Sequence, residues 1–211
     1  MSAGAKAVGA PDPADARVAA VRAHLERVRA ALGELDVGRV GELVALLEAT
    51  RAAGGTVFVC GNGGSAATAS HFAADLLKGA AGPGRPGVRA LALGDNAALL
   101  TAWANDLAYA RALAEPLRAL ARPGDVLVAI STSGASANVL AAAEAARELG
   151  LGVVALTGRG GGRLREVADL HLAAACDRAG EAEDVHLALC HAVTAALKGA
   201  AAAAGANGRH A

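Results

Sequence analysis

Residues 57–65 read Val-Phe-Val-Cys-Gly-Asn-Gly-Gly-Ser and join an apolar run to a glycine-rich turn. This order is typical of a strand, a tight turn and the start of a helix. The glycines let the backbone approach an anion closely, and Ser65 can both cap the helix and donate its hydroxyl group. The segment indicates a cradle for a phosphorylated small molecule, although such turns also occur for purely geometric reasons.

A second polar turn follows another apolar run and carries Ser131, Thr132, Ser133 and Ser136. Hydroxyl groups beside the free amide groups of a helix start form a nest that binds phosphate. A Ser/Thr-rich capping turn is the alternative interpretation. Because the two turns occupy matching positions after two strands, a shared ligand site is favoured.

His71 and Asp75 lie four residues apart in the helical run after the first turn. This spacing places them on one helix face, within reach of a shared ion or substrate, although a surface hydrogen bond would use the same spacing. Asn105 and Asp106 form another polar pair inside an apolar run. A helix cap at a break is the alternative for that pair.

The last helical run carries Glu183, Asp184, His186 and His191 among apolar residues. Polar groups on a helix suited to burial need partners, and two imidazoles with two carboxylates suit zinc or a similar divalent ion. Spacing does not select the ligands. Asp184 lies about 20° from His191 around the helix axis and Glu183 about 80°, so geometry alone slightly favours Asp184.

Short apolar runs alternate with helix-length segments after residue 55, a pattern typical of parallel strands that are buried on both faces. The predicted strands are 57–60, 88–93, 126–130, 153–156 and 170–173. The predicted helices are 65–78, 96–121, 136–149, 162–168 and 180–202. This order predicts an α/β fold with a doubly wound parallel sheet, in which ligands bind outside the carboxyl ends of the strands, where both polar turns lie.

Two helical segments precede the sheet, and each has an apolar stripe to bury. The first stripe is Val18, Val21, Leu25, Val28 and Leu32, and the second is Val40, Leu43, Val44 and Leu47. Residues 1–13 and 205–211 are expected to be flexible tails around a single domain at 14–204.

Composition excludes several function classes. The 20 basic and 20 acidic residues cancel, and only 2% of residues are aromatic, so neither nucleic acid nor a membrane surface is an expected partner. Cys60, Cys176 and Cys190 do not suggest a disulfide framework and favour a reducing compartment, the cytoplasm. No run has the length and apolarity of a membrane span or the order of a signal peptide.

Several motifs occur in order along the chain and resemble the sugar isomerase (SIS) domain family, most closely its phosphoheptose isomerases. They are Cys60-Gly-Asn-Gly-Gly-Ser65, His71-Phe-Ala-Ala, Ala104-Asn-Asp106, Arg122-Pro-Gly-Asp125, Ile130-Ser-Thr-Ser-Gly134, Leu156-Thr-Gly158 and His191. The similarity extends over nearly the whole chain, to about residue 200. It implies a three-layer α/β sandwich with a five-stranded sheet, assembled into a homotetramer whose active sites use more than one subunit.

The resemblance also implies an activity, which is conversion of sedoheptulose 7-phosphate to D-glycero-D-manno-heptose 7-phosphate through an enediol. Asp75 and His191 would transfer protons, and a divalent metal, zinc, would be held by His71, Asp75, Glu183 and His191. Further substrate contacts would come from Asp75, Glu183, the pair Asn105 and Asp106, and the two polar turns. The contacts in the turns are Asn62, Gly63, Gly64, Ser65, Ser131, Thr132, Ser133 and Ser136.

Two of these positions depart from the family pattern, which has glutamate where this chain has Asp75 and glutamine where it has Glu183. Aspartate is shorter by one methylene, roughly 1.5 Å, and a misplacement of that size can cost on the order of 100-fold in rate. We therefore expect Asp75→Glu to speed turnover. Glu183 adds a negative charge, which should strengthen cation binding and repel an anionic substrate.

Two alternatives remain at this point. One is a non-catalytic SIS-domain protein of the replication-initiator-binding or sugar-phosphate-sensing type. The other is an isomerase for a different sugar phosphate. Relatives without activity tend to lose the acid and base residues, whereas this chain keeps His71, His191 and an acid at both other positions.

Overall fold

The fold comes from a computed structural model that describes residues 13–207. Two helices, α1 (Pro13–Gly33) and α2 (Val37–Ala52), precede an alternation of strands and helices. The strands are β1 (Thr56–Cys60), β2 (Arg89–Ala92), β3 (Val126–Ser131), β4 (Gly152–Thr157) and β5 (Leu170–Ala173). The later helices are α3 (Gly64–Ala74), α4 (Ala97–Asp106), α5 (Ala114–Leu120), α6 (Ala137–Glu148), α7 (Gly162–Val167) and α8 (Ala179–Asn207).

The five strands form one parallel sheet in the order β2-β1-β3-β4-β5. The chain therefore reverses its direction of winding between β2 and β3, which is the switch point of a doubly wound sheet. The predicted strands and the predicted fold class are confirmed.

Both faces of the sheet are covered by helices, because successive residues of each strand point to opposite sides. Val57 and Val59 contribute to a core with α2, α3 and α8, whereas Phe58 and Cys60 contribute to a second core with α5, α6 and α7. The result is a three-layer sandwich. Burial in the second core raises the pKa of the Cys60 thiol to about 12.

The helix predicted at 96–121 is wrong as a single element. The structure divides it into α4, a 3₁₀ turn (Tyr109–Arg111) and α5. Pro116 supplies a physical reason, since a proline inside a continuous helix lacks the N–H and clashes with the preceding turn. In α5 it occupies the first turn, where a proline is tolerated.

The helix predicted at 65–78 also differs, because α3 continues into a π-helical turn (Asp75–Gly79). The amide of Ala80 donates to the carbonyl of Asp75 across this wider turn, at 2.9 Å. Such turns are rare in helices and occur frequently at functional sites.

The two N-terminal stripes have different environments. Leu43 and Leu47 of α2 are fully buried, as predicted. The α1 stripe is only partly covered, because Val18, Val21 and Leu25 are 61–62% exposed whereas Val28 packs against the cluster between α1 and α8. Periodicity identifies an apolar face but not the surface that covers it, and α1 contacts α8 through the side that carries Val28 and Ala31.

His186 joins α8 to the sheet. Its Nε2 atom lies 2.9 Å from the Thr157 carbonyl oxygen at the end of β4, and only 1% of the residue is exposed. Burial lowers the pKa of His186, so the imidazole is neutral at pH 7 and must donate from Nε2 to this acceptor. One of the two histidines predicted to need a partner on the last helix is thus a structural residue.

Of the predicted tails, residues 1–12 and 208–211 lie outside the described residues, whereas residues 205–207 belong to α8. The domain limits at 14–204 stay a prediction. Among the helices that the structure describes, none combines the length and apolarity needed to cross a membrane.

Candidate active site

The first polar turn connects the buried strand β1 to α3. Gly63 is the N-cap of α3, with φ +55° and no side-chain cap, so the expectation that Ser65 caps this helix is wrong. Ser65 instead lies buried in the first helical turn. The Gly64 and Ser65 amides have no acceptor among the described residues, which leaves two N–H groups directed at the space beyond β1.

The second polar turn follows β3, the strand beside β1. The Ser131 hydroxyl lies 3.1 Å from that of Ser136 and 3.5 Å from that of Ser133, and the Ala135 amide donates to Ser133 at 3.2 Å. Because neighbouring parallel strands end at the same edge, the hydroxyl cluster and the start of α3 share one edge of the sheet.

Three predicted residues from two helices converge on one point. His71 belongs to α3, Asp75 begins the π-helical turn, and His191 belongs to α8, 120 residues after His71. The Nε2 atoms of the two histidines are 3.0 Å apart, and the Asp75 Oδ2 atom lies 3.6 Å from His71 and 3.8 Å from His191. The two rings meet edge to face.

These distances fit a single divalent ion. Two ligand atoms at about 2.1 Å from a tetrahedral zinc ion lie roughly 3.4 Å apart, and the three observed separations, 3.0, 3.6 and 3.8 Å, bracket that value. All three side chains are partly exposed, which leaves space for a further ligand. Two imidazole nitrogens and one carboxylate are a donor set that zinc accepts.

The Glu183 carboxylate lies at the start of α3, apart from the two histidines. It does not belong to the group formed by His71, Asp75 and His191 among the described residues. Its carboxylate lies against Gly64, where a Cβ atom would overlap it. A negative charge is favoured there by the helix N-terminus. The predicted role of Glu183 as a metal ligand stays a prediction.

Asp184 faces away from this group. Its Oδ2 atom lies 2.9 Å from His24 Nε2 on α1, and the neighbouring Glu181 accepts a hydrogen bond from Arg27 at 2.6 Å. Glu181 is only 3% exposed, so this acid is a buried partner of an α1 arginine. The slight preference of helical geometry for Asp184 over Glu183 is not supported.

Asn105 and Asp106 lie at the exposed end of α4 and bond to each other, at 3.0 Å from amide nitrogen to carboxylate oxygen. Their predicted contact with substrate stays a prediction. Beside them, sequence reasoning missed Tyr109 and Asn138, which both bond to Asn62 of the first turn. No sequence spacing predicts the hydrogen bonds between the Asn62 and Asn138 amides. The one available signal was that Asn138 comes two residues after Ser136 of the second polar turn.

Comparison with known proteins identifies the family to which this fold belongs. The profile of the SIS domain matches residues 18–158, about two thirds of the chain. The chain belongs to the SIS domain family. The relatives of this SIS domain include the phosphoheptose isomerase of Azoarcus sp. (strain BH72), 44% identical over 72% of the chain and 78% of that protein. The phosphoheptose isomerase of Mycobacterium tuberculosis (strain CDC 1551 / Oshkosh) is 48% identical over 71% of the chain and 81% of that protein.

Solved structures agree with this assignment. The phosphoheptose isomerase of Neisseria gonorrhoeae superposes on this SIS domain with a TM-score of 0.80 and 36% identity, covering 88% of the chain and 98% of that protein. The enzyme of Francisella tularensis gives a TM-score of 0.81 and 28% identity over 89% and 99% of the two chains. The resemblance inferred from the motifs is confirmed.

The second turn depends on Gly134, and Gly134→Ala should unfold it. Gly134 has φ +62°, and an added Cβ would overlap the backbone carbonyl of Gly161. Left-handed backbone and overpacking together should cost about 3 kcal/mol of unfolding free energy, measured by chemical denaturation. Gly160→Ala is the matched control, since a Cβ there meets nothing within 4 Å. Equal stability of the two variants would contradict this account of the turn.

Proposed function

We propose that the protein is an aldose–ketose isomerase that converts sedoheptulose 7-phosphate to D-glycero-D-manno-heptose 7-phosphate. The observation that carries the proposal is the convergence of His71, Asp75 and His191 at one point, in a chain 42–48% identical to several phosphoheptose isomerases. An acid and two bases within 3.0–3.8 Å of one another favour proton transfer over binding alone.

The reaction moves one proton between C1 and C2 and another between the two oxygens of an enediol. Asp75 is the proposed general base at the reacting carbons, since a carboxylate beside two imidazoles can both accept and return a proton. His191 is the proposed acid at the substrate oxygen, because its Nε2 atom lies 3.8 Å from the same carboxylate. His71 completes the group from the α3 side.

The substrate phosphate would lie between the two polar turns. Unpaired amide groups at the start of α3 and three nearby serine hydroxyls support this placement, since phosphate favours helix starts and charge-assisted hydrogen bonds. The residues proposed for this role are Asn62, Gly63, Gly64, Ser65, Ser131, Thr132, Ser133 and Ser136. Asn105, Asp106 and Glu183 are proposed to contact the sugar.

Zinc is the proposed metal, one ion per subunit, held by His71, Asp75 and His191. Glu183 is the proposed fourth ligand, which requires its side chain to leave Gly64. When bound, the ion would polarise the substrate carbonyl as a Lewis acid. A residue that holds the ion tightly cannot also transfer a proton freely, so Asp75 would alternate between these roles or share them with a bound water.

The proposed isomerase is a homotetramer in the cytoplasm. The exposed α1 stripe supports an assembly, since three large apolar side chains on one helix face favour a protein partner. The three cysteines are free thiols, which a reducing compartment maintains. Recovery of the native protein from an extracytoplasmic fraction would contradict the location.

Purified protein incubated with sedoheptulose 7-phosphate should form the aldose phosphate. Chromatography of the sugar phosphates would measure this conversion. Chelation should abolish conversion and added zinc should restore it, because removal of the ion leaves the carbonyl unpolarised. His191→Ala should lower kcat by at least about 100-fold. Five- and six-carbon ketose phosphates serve as competing substrates. Binding of the seven-carbon sugar without conversion under any metal condition would contradict the proposal.

The distances around Asp75 support a different expectation from the one based on the family pattern. The aspartate already lies within 3.6–3.8 Å of both imidazoles, so one added methylene should overshoot the group. Asp75→Glu should therefore lower kcat/KM on the order of 10- to 100-fold. Asp75→Asn, equal in length but uncharged, is the control for charge and should lose more. Faster turnover by Asp75→Glu would show that the aspartate is too short.

A charge on the α1 stripe should break the assembly. Val21→Asp would place a carboxylate in a buried subunit contact, which strongly disfavours association. Sedimentation should then show a smaller species than the wild-type tetramer. Ala19→Asp adds the same charge to an exposed position on a different face of α1 and should leave the tetramer intact. A wild-type monomer, or equal behaviour of the two variants, would exclude this interface.

A further inference from the structure

Two residues outside the proposed catalytic and phosphate-binding groups fix the side chain of Asn62. We propose that Asn138 and Tyr109 are positioning residues, which hold Asn62 so that it presents a single N–H donor to an oxygen of the bound sugar phosphate. The inference rests on the proposed function, because it concerns the same site. It adds a fixed orientation of the Asn62 side-chain amide and two residues, Asn138 and Tyr109, that no sequence motif indicated.

The contact is a reciprocal amide pair. Asn62 Nδ2 donates to Asn138 Oδ1 at 2.8 Å, and Asn138 Nδ2 donates to Asn62 Oδ1 at 2.8 Å. The Tyr109 hydroxyl donates to the same Asn62 oxygen, also at 2.8 Å. Asn138 is 3% exposed, so its side-chain amide is shielded from water. A buried amide with satisfied partners is strongly held in place.

The direction of these bonds is set by the backbone of α6. The amide N–H of Val139 donates to Asn138 Oδ1 at 3.0 Å. Turning the Asn138 amide by 180° would bring its NH₂ group against that N–H, which is a contact between two donors. Asn138 therefore has one allowed orientation. Since its NH₂ group must then face Asn62 Oδ1, the orientation of Asn62 is determined as well.

This arrangement leaves Asn62 with one free function. Its oxygen accepts from Asn138 and Tyr109, which uses both lone pairs, and one of its two N–H bonds is given to Asn138. The remaining N–H has no acceptor among the described residues, and Asn62 comes two residues before Gly64, the first of the unpaired amides of α3. A lone donor at this place suits a phosphate or hydroxyl oxygen and does not suit a substrate N–H or O–H donor.

The pair also ties the two polar turns together. Asn62 follows β1, whereas Asn138 lies in the first turn of α6, directly after the serine turn. Tyr109 comes from the 3₁₀ turn after α4, close in sequence to Asn105 and Asp106. Three segments proposed to contact the substrate are thereby fixed to one side chain, so their spacing cannot change independently.

Tyr109→Phe is the decisive variant, because it removes one hydroxyl from a half-exposed ring and frees a lone pair of Asn62. We expect KM for sedoheptulose 7-phosphate to rise about fivefold to tenfold with kcat nearly unchanged, since a loosened donor weakens binding in ground and transition states alike. In an Asn62→Ala background the same substitution should have no further effect. A merely structural tyrosine would act equally in both backgrounds.

Thr50→Val is the matched control. It deletes one buried hydroxyl, which donates to the Leu46 carbonyl at 2.9 Å within α2, and should leave KM unchanged. Asn138→Leu keeps the volume and removes the amide, and its effect on KM should exceed that of Tyr109→Phe. If Asn138→Leu does not fold, the comparison of Tyr109→Phe in the wild-type and Asn62→Ala backgrounds still tests the proposal.

The outcomes separate this inference from the proposed function. Conversion by wild-type protein with unchanged KM in Tyr109→Phe would overturn the inference and leave the isomerase proposal standing. If wild-type protein converts no sedoheptulose 7-phosphate, the effect of Tyr109→Phe with and without Asn62→Ala is measured by apparent melting temperature instead. A decrease caused by Tyr109→Phe only when Asn62 is present would support the contact, and equal decreases in both backgrounds would overturn it.

Discussion

The parallel arrangement of the five strands is the constraint on which the rest of the molecule depends. A parallel sheet needs helices on both faces, and here two separate cores use alternate residues of the same strands, such as Val59 and Cys60 of β1. Little room for polar groups remains on the faces. They collect instead at the carboxyl edge, where the two polar turns place hydroxyl groups and unpaired amides at the starts of helices.

The acid and base residues come together away from the polar turns, near the C-terminal end of α3. His71 and Asp75 come from the helix that starts at the first turn, whereas His191 comes from the last helix, which packs on the same face of the sheet. Burial of Leu189, Cys190 and Val193 in that core fixes the rotation of α8 and so directs His191 towards α3. The packing of an apolar helix face thereby sets the position of the exposed imidazole.

Three carboxylates near the proposed site have separate environments. Glu181 is paired within the chain, since it is buried against Arg27 of α1. Glu183 is not paired in this way, and its carboxylate lies over Gly64, where the proposed phosphate site begins. Asp75 stands at the start of a π-helical turn and within reach of both histidines. The three carboxylates therefore differ in what they contact, and Glu183 is the one that lies at the start of α3.

Sequence alone determined where the five strands and the two polar turns lie along the chain, and it singled out His71, Asp75 and His191, because these follow from local periodicity and ordered motifs. It did not determine the break at residues 107–113, the exposure of the α1 stripe, or the direction of Asp184 towards His24. Those features depend on which surfaces meet. The Asn62–Asn138 pair belongs with them, since a hydrogen bond between residues 76 positions apart forms only when two neighbouring strands bring their turns together.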